Sequence, residues 1–341
     1  MPERARSGTR NLITDVPGLR VGQSEDRGAR SGVTVILPDE RSVCAVDVRG
    51  GAPGTRETDA LAPENLVEAV DAVVLAGGSV YGLAAADGVV AWLGARGRGY
   101  GMAPDPAVPP SPVVPGAILF DMANGGDKAW GEDPPYRALG RAAIAAASDT
   151  FDLGTAGAGY GAMAGSLKGG TGSASIVSGD GMSVGAIVAV NCWGSVVAPG
   201  GRTFWAAPFE MDGEFGALGS ADLRAAPDEW GLSKGPAEGR NTTIACVATD
   251  VALTPAQARR VAVMAQDGLS RAIRPVHAPF DGDVVFCLST ACQPMPEAPD
   301  YTVARLGALA ADCLARAVAR AVFEATAWPG AETPCWRDLP K

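Results

Sequence analysis

The pair Asn241-Thr242 has the composition of a self-cleavage site. A polar, turn-prone segment, residues 239–241, leads directly into a β-branched run from Thr242 to Thr249 whose first residue carries a hydroxyl. If the chain were cut before Thr242, the freed α-amine would have an unperturbed pKa of about 7.7–8.0 and could activate that hydroxyl as a base. The same residues fit an N-glycosylation sequon, and threonine pairs are common in strands. The local sequence alone favours these ordinary interpretations.

The overall composition narrows the class of protein. The chain has 341 residues, 47% of them hydrophobic, and 38 acidic against 28 basic residues give a net charge of −10. This charge argues against a nucleic-acid or anionic-membrane partner. Seven cysteines without a C-x-x-C pair indicate neither a disulfide framework nor a zinc site. Because no signal-type or membrane-spanning run is present, we expect a cytoplasmic protein, which weakens the glycosylation alternative.

The single histidine, His277, limits the chemistry further. One histidine excludes a His-ligated metal cluster, and a Ser-His-Asp hydrolase would have to use His277 as its base. The nearest serine motif, around Gly77-Gly78-Ser79, misses the G-x-S-x-G spacing by one residue. Hydrolysis through an N-terminal nucleophile, with neither metal nor cofactor, remains compatible with the sequence.

Alternating strand and helix patterns indicate an α/β fold. The sequence predicts that the strands Gly32–Leu37 and Ser42–Val48 pair with each other. A buried strand, a Gly-Gly-Ser turn and a helix over Val80–Leu93 follow. The remaining predicted elements of this part are the strand Ala72–Leu75, the helix Ala138–Ala147 and the strands Ser173–Val177 and Ser183–Val190, the last of which ends at Asn191. From residue 193 to 240 the pattern is irregular, which predicts an exposed and loosely held approach to Asn241.

The last hundred residues place two carboxylates near Thr242. The strand 242–249 is followed by Thr254, a predicted N-cap, and by a helix to about residue 273. Nearly twenty helical residues span about 27–30 Å, enough to return the chain along the preceding strand. A following strand, Val284–Ser289, is then parallel to the first, and both begin at the same edge. Asp281 and Asp283 are therefore expected beside Thr242. A last helix is predicted from Tyr301 to about Ala327.

Four segments together resemble a known family. They are LAGGSVYGLAAADG at residues 75–88, LKGGTGSAS at 167–175, NTTI at 241–244 and DGD at 281–283. In this order they resemble the self-processing aminopeptidase/amidohydrolase family of the DmpA type, over nearly the whole chain from Val16 to the final helix. The resemblance implies a four-layer α/β/β/α sandwich, one catalytic domain over residues 1–341, and autocleavage into residues 1–241 and 242–341.

The resemblance also implies a role for each site residue. Thr242 is the nucleophile in self-cleavage after Asn241 and in substrate turnover. Asn191 would donate to the oxyanion, as a fixed donor at a developing charge does. Lys168 would lie against the Thr242 hydroxyl or amine and favour its deprotonated form. The side chains of Asp281 and Asp283 would orient Thr242 and hold its ammonium, although an Asp-Gly-Asp turn is an equally good local explanation.

The chain departs from the family at two positions, and its substrate stays open. Some members carry a tyrosine near the oxyanion where this chain has Phe120, and the spacing around Lys168 differs by a residue or two from the nylon-oligomer hydrolases. We expect a small amide or short peptide substrate and a homo-oligomer, a tetramer or larger, of cleaved protomers. Two alternatives remain: an acyltransferase of the ornithine acetyltransferase type and an uncleaved small-molecule-binding protein.

Overall fold

The computed structural model describes residues 4–101, 105, 107–221, 223–235 and 241–340. Its strands are β1 Leu19–Asp26, β2 Ser31–Pro38, β3 Ser42–Val48, β4 Thr55–Arg56, β5 Ala69–Val70, β6 Val73–Ala76, β7 Gly116–Ile118, β8 Met163–Ala164, β9 Leu167–Lys168, β10 Gly170–Val177, β11 Ser183–Asn191, β12 Thr242–Val251 and β13 Val284–Gln293. Its α-helices are α1 Ala85–Gly94, α2 Tyr136–Ala145, α3 Pro255–Ala272 and α4 Pro299–Phe323.

The strands form two large sheets and one small hairpin. The first sheet has the order β1-β2-β6-β7-β4, and the second sheet has the order β10-β11-β12-β13-β3-β5. Strands β8 and β9 pair only with each other. In the second sheet β12 is antiparallel to β11 and parallel to β13, since α3 carries the chain back between β12 and β13. This return is the geometry that the sequence predicted.

Three apolar clusters separate four layers. Val33, Val35 and residues of α1 and α2 fill the space outside the first sheet. The next residue of β2, Ile36, belongs instead to the cluster between the sheets, with Ile244 of β12. Residues of α3 and α4 pack on the outer face of the second sheet. Because successive side chains of a strand point to opposite faces, strands buried on both faces have continuous apolar sequences.

Most predicted elements are present, with shifted ends. Thr254 caps α3 by accepting the Gln257 backbone N–H, in a capping box with the Gln257 side chain. The final helix ends at Phe323, four residues before its predicted end. The predicted helix over Val80–Leu93 begins instead as a 3₁₀ turn at Ser79–Ala84, after Gly78 with a φ of +85°. Among the described residues, no helix has both the length and the apolar character needed to cross a membrane.

The predicted pairing of β2 with β3 is wrong. Strand β2 pairs with β1 and β6 in the first sheet, and β3 pairs with β13 and β5 in the second. Residues 39–41 carry the chain from one sheet to the other. The short connection suggested a hairpin, because short turns usually join paired antiparallel strands. Each of these strands, however, is buried on both faces, within a different sheet. A continuous apolar strand does not specify which sheet it joins.

Candidate active site

Strand register brings the predicted site residues to one edge of the second sheet. Thr242, the first residue of β12, lies opposite Asn191, the last residue of β11. On its other side, β12 runs parallel to β13, and Asn241 forms an isolated parallel bridge with Asp281. The loop before β13 therefore passes beside the Asn241–Thr242 bond. The expectation that about forty residues of intervening chain would bring Asp281 and Asp283 back to Thr242 is confirmed.

Two donors meet at the carbonyl of Asn241. The Thr242 hydroxyl contacts the Asn241 carbonyl oxygen, and the Gly282 backbone N–H donates to the same oxygen at 3.0 Å. Both Asn241 and Thr242 are buried, at 2% and 3% exposure. The nucleophile candidate thus touches the carbonyl group of the bond it would break, and an amide is aimed at the oxygen where negative charge would develop.

The prediction of an exposed and loosely held approach over residues 193–240 is wrong for much of the described part. Val196, Val197 and Phe204 are buried, and the Lys234 N–H donates to the Trp193 carbonyl, because apolar side chains without periodicity still pack onto the second sheet. Residues 222 and 236–240 of this stretch lie outside the described residues.

Asp283 holds the start of β12 and the loop before it in fixed positions. Its Oδ1 accepts the backbone N–H of Thr243 at 2.8 Å. Its Oδ2 accepts the backbone N–H of His277 at 3.1 Å and lies 2.8 Å from the His277 Nδ1. The single histidine therefore supports a site carboxylate. A carboxylate that accepts several hydrogen bonds orients the groups around it.

Asp281 is the less stabilised of the two carboxylates. Its Oδ2 accepts the Ala278 backbone N–H at 3.1 Å, and its buried Oδ1 accepts no hydrogen bond from the described residues. Burial, and next the charge of Asp283, raise the pKa of Asp281 to about 6. The hydrogen bond from the Ala278 backbone, and to a smaller extent the Lys234 charge, offset part of this rise in pKa. Asp281 can therefore take up or release a proton near neutral pH, as a site acid or base must.

The Asn191 carboxamide is fixed by two backbone groups. Its Oδ1 accepts the Met163 N–H, and its Nδ2 donates to the Phe120 carbonyl, both at 2.9 Å. Phe120, one of the positions at which the sequence departs from the resemblance, therefore contributes its backbone carbonyl. Asn191 is next to Thr242 in the sheet, but the Asn241 carbonyl oxygen accepts from the Gly282 N–H and the Thr242 hydroxyl.

Lys168 does not hydrogen-bond to Thr242. Its fully buried Nζ donates to the carbonyls of Gly159, Ala162 and Gly169, at 3.3, 3.0 and 2.7 Å. Burial lowers the pKa of Lys168 to about 7, against the opposing charges of Cys335 and Asp121. Its ammonium fixes the loop that carries Met163, and Met163 in turn holds Asn191.

The depressed pKa of Lys168 predicts a pH-dependent stability. Between its folded pKa of about 7 and its ordinary value of 10.5, the unfolded chain binds a proton that the folded chain lacks. Stability then rises with pH in this window. From pH 7 to pH 9, the unfolding free energy of the parent chain is expected to increase by about 2 kcal/mol more than that of the Lys168→Met variant. Urea titrations of both chains, in a Thr242→Val background, measure this difference; equal pH slopes would contradict it.

Lys234 is a site residue that the sequence analysis did not select. Its Nζ donates to the Asn241 Oδ1 at 2.5 Å and to the Asn191 carbonyl at 3.5 Å. The sequence held one signal, because Lys234 is one of only four lysines and lies seven residues before Asn241, where cleavage is predicted. Gly282 was also missed as a donor, although it is the centre of the Asp-Gly-Asp motif.

The described residues also bear on metal binding. Within residues 4–101, 105, 107–221, 223–235 and 241–340, no group of three or more His, Cys, Asp or Glu side chains is placed to hold a metal ion. All seven cysteines are free thiols, and six of them are buried. The reactive and polar groups of the described site are a hydroxyl, backbone amides, carboxylates and ammonium groups.

Comparison with known proteins gives the family and the fold. A model of peptidase family S58 matches residues 11–334. An uncharacterized aminopeptidase of Mycobacterium tuberculosis (strain ATCC 25618 / H37Rv) is 46% identical over 357 residues, covering 96% of this chain and 98% of the relative. A 6-aminohexanoate-oligomer endohydrolase of Agromyces sp. (strain KY5R) is 29% identical over 338 residues, covering 92% and 87%.

A solved structure extends the likeness to three dimensions. The l-aminopeptidase d-ala-esterase/amidase from Ochrobactrum anthropi, described as a new variant of the Ntn hydrolase fold, matches with a TM-score of 0.69 at 23% identity. The match covers 97% of this chain and 91% of that one. The layered α/β fold expected from the sequence is thereby confirmed. The family match spans most of the chain, so the chain belongs to peptidase family S58 and is a hydrolase that acts on amide bonds.

Proposed function

We propose that the chain cuts itself between Asn241 and Thr242 and that the freed Thr242 is the nucleophile of an amidohydrolase or aminopeptidase. One observation carries the proposal. The Thr242 hydroxyl and the Gly282 amide meet on the Asn241 carbonyl, at the first residue of a strand. A nucleophile in contact with a carbonyl, and a donor on the carbonyl oxygen, are the two elements that acyl transfer requires.

Self-cleavage follows as an N-to-O acyl shift. The Thr242 Oγ1 attacks the Asn241 carbonyl carbon, and the Gly282 N–H stabilises the oxyanion. The carbon–nitrogen bond then breaks, the Thr242 nitrogen takes a proton, and an ester joins Asn241 to Thr242. Water hydrolyses this ester, which leaves a carboxylate on Asn241 and a free α-amine on Thr242.

Turnover repeats the acyl transfer on a substrate. The Thr242 α-amine accepts the hydroxyl proton, and the hydroxyl oxygen attacks the substrate carbonyl, releases the amine product and forms an acyl-enzyme that water hydrolyses. The parallel bridge between Asn241 and Asp281 supports a role for Asp281 and its neighbour Asp283 in holding the new ammonium. Asn191 would supply a second oxyanion donor, and Lys168 would keep the loop behind Asn191 in place.

The names of the relatives support a small amide or short peptide as substrate. One relative is named an aminopeptidase and another a 6-aminohexanoate-oligomer endohydrolase. Both names indicate substrates with an amide bond, and the carbonyl carbon of that bond would have to reach Thr242 at the edge of the second sheet. No step in this mechanism passes through a metal or cofactor. We expect the cleaved protomers to assemble as a cytoplasmic homo-oligomer.

Denaturing mass spectrometry of the purified protein tests the first half of the proposal. We expect two fragments, residues 1–241 and 242–341; a single intact chain after prolonged incubation would overturn self-processing. The second half is tested by incubating the processed protein with a panel of amides. Partition of the acyl product between water and an added amine then separates hydrolysis from acyl transfer.

A further inference from the structure

Lys234 lies on the acyl side of the bond that would be cut. Its ammonium donates to the Asn241 Oδ1 at 2.5 Å. Asn241 is the residue whose acyl group would be transferred to Thr242 during self-cleavage. The contact is made to a neutral carboxamide oxygen. A charge-assisted hydrogen bond of this kind is stronger than one between neutral groups.

The segment that carries Lys234 is held by contacts independent of Asn241. The Lys234 backbone N–H donates to the Trp193 carbonyl at 2.9 Å, and the Leu232 carbonyl accepts the Ser166 N–H at 2.7 Å. The Trp230 ring meets the Trp193 ring edge-on, with centroids 5.3 Å apart. These contacts, and the bond from the Lys234 ammonium to the Asn191 carbonyl at 3.5 Å, would keep Lys234 in place when the Asn241 carboxylate leaves the site.

Self-cleavage and turnover place their acyl groups in the same position. In both reactions the acyl carbon bonds to the Thr242 Oγ1 while its oxygen faces the Gly282 N–H. The substituent next to that carbon must then occupy the space of the Asn241 side chain. Asn241 is therefore an internal substrate, and its partner Lys234 is a part of the substrate site.

The charges around this space favour a neutral group over an anion. The side chains of Asp281 and Asp283 are buried beside the cleavage junction, and Trp193 and Phe280 form an edge-on aromatic pair with centroids 5.2 Å apart. A carboxylate on the substrate would gain Lys234 but face two existing carboxylates. A carboxamide gains the hydrogen bond without that repulsion.

We propose that Lys234 is a substrate-binding residue of the processed enzyme and that it selects asparaginyl amides, whose acyl group carries a neutral carboxamide at the position of the Asn241 side chain. This inference rests on the proposed function, because it requires Thr242 to form the acyl-enzyme. The inference adds to that function a substrate class, asparaginyl amides, and the residue that recognises their carboxamide, Lys234.

Asparaginyl and leucyl p-nitroanilides give the direct test, because the two acyl groups have nearly the same shape. We expect kcat/KM to be about 10- to 100-fold higher for the asparaginyl substrate, the effect of one hydrogen bond to a charged group. The aspartyl substrate should fall below the asparaginyl one. Equal rates for the asparaginyl and leucyl substrates, or a leucyl preference, would overturn the inference while leaving the proposed function intact. Failure to hydrolyse any amide would count against the proposed function itself.

Variants then assign the preference to Lys234. Lys234→Met should reduce the asparaginyl/leucyl ratio of kcat/KM to near one. Lys234→Arg, which keeps the charge, should retain part of the ratio. Ser233→Ala is the matched control, because the half-buried Ser233 bonds only to the Trp230 carbonyl of its own segment. A full ratio in Lys234→Met would overturn the assignment.

The chain itself provides a second measurement that needs no change at Lys234. The contact already exists in the uncleaved chain, so its loss acts by letting the Asn241 carbonyl move away from the Thr242 hydroxyl and the Gly282 N–H. Asn241→Leu should therefore slow self-cleavage, by about 10-fold or more. Cleavage is followed by mass spectrometry in chains whose thermal unfolding matches the parent. Unchanged cleavage in Asn241→Leu would contradict the shared acyl position.

Discussion

A Thr242→Val chain is expected to remain a single polypeptide of residues 1–341 and to hydrolyse no amide. Valine keeps the β-branched shape that suits the start of β12 and removes only the hydroxyl that contacts the Asn241 carbonyl. Removal of a catalytic nucleophile lowers kcat by roughly 10⁶-fold in a well-studied hydrolase. The same change is expected to remove both reactions, because in the proposed mechanism one hydroxyl serves self-cleavage and turnover. Mass spectrometry measures the first loss and an amide assay the second.

The adjacent threonine gives a matched control. Thr243 is fully buried, and its Oγ1 forms no hydrogen bond with any of the described residues. Thr243→Val should therefore process and turn over close to the parent rates. Thr242→Ser keeps the hydroxyl and loses one methyl group, so it should process more slowly, by about 10- to 100-fold. A Thr242→Val chain that still yields residues 242–341 would show that Thr242 does not cut the bond.

The position of the two carboxylates could be derived from the sequence because it depends on local rules. The Thr254 cap starts α3, the helix length fixes the distance travelled, and a strand of matching length follows. A strand–helix–strand connection in one sheet makes the strands parallel. From these steps alone, Asp281 and Asp283 come to the start of β12, as the parallel bridge at Asn241 shows.

The environment of the lysines could not be derived in this way. Lys168 was expected at Thr242 from the family resemblance, yet its ammonium bonds three carbonyls of a glycine-rich loop. Lys234 reaches Asn241 from a segment without periodicity. A lysine head lies several bonds from its backbone, so its partner depends on loop packing that no hydrophobic pattern encodes. The wrong pairing of β2 with β3 has a similar origin, since burial on both faces leaves the choice of sheet open.

A Gly282→Ala chain is expected to slow self-cleavage by about 10²- to 10³-fold, the usual effect of losing one oxyanion donor. A Cβ at this position would lie 2.7 Å from the Ala52 carbonyl oxygen and 2.8 Å from the Thr242 Oγ1. Distances below 3.0 Å force something to shift, and the Ala52 oxygen belongs to the backbone. The Gly282 amide, which donates to the Asn241 carbonyl, and the nucleophile would therefore move apart.

The matched control is Gly94→Ala at the end of α1, where an added Cβ meets only the Pro112 Cγ, at 3.9 Å. This chain should process at the parent rate. The rate constant of fragment formation is measured by mass spectrometry in folded precursor, with thermal unfolding of each variant recorded in parallel. If Gly282→Ala folds like the parent and still cleaves at the parent rate, the Gly282 amide is not the oxyanion donor. The second N–H of the Asn191 carboxamide, which is one strand away from Thr242, would then be the candidate donor.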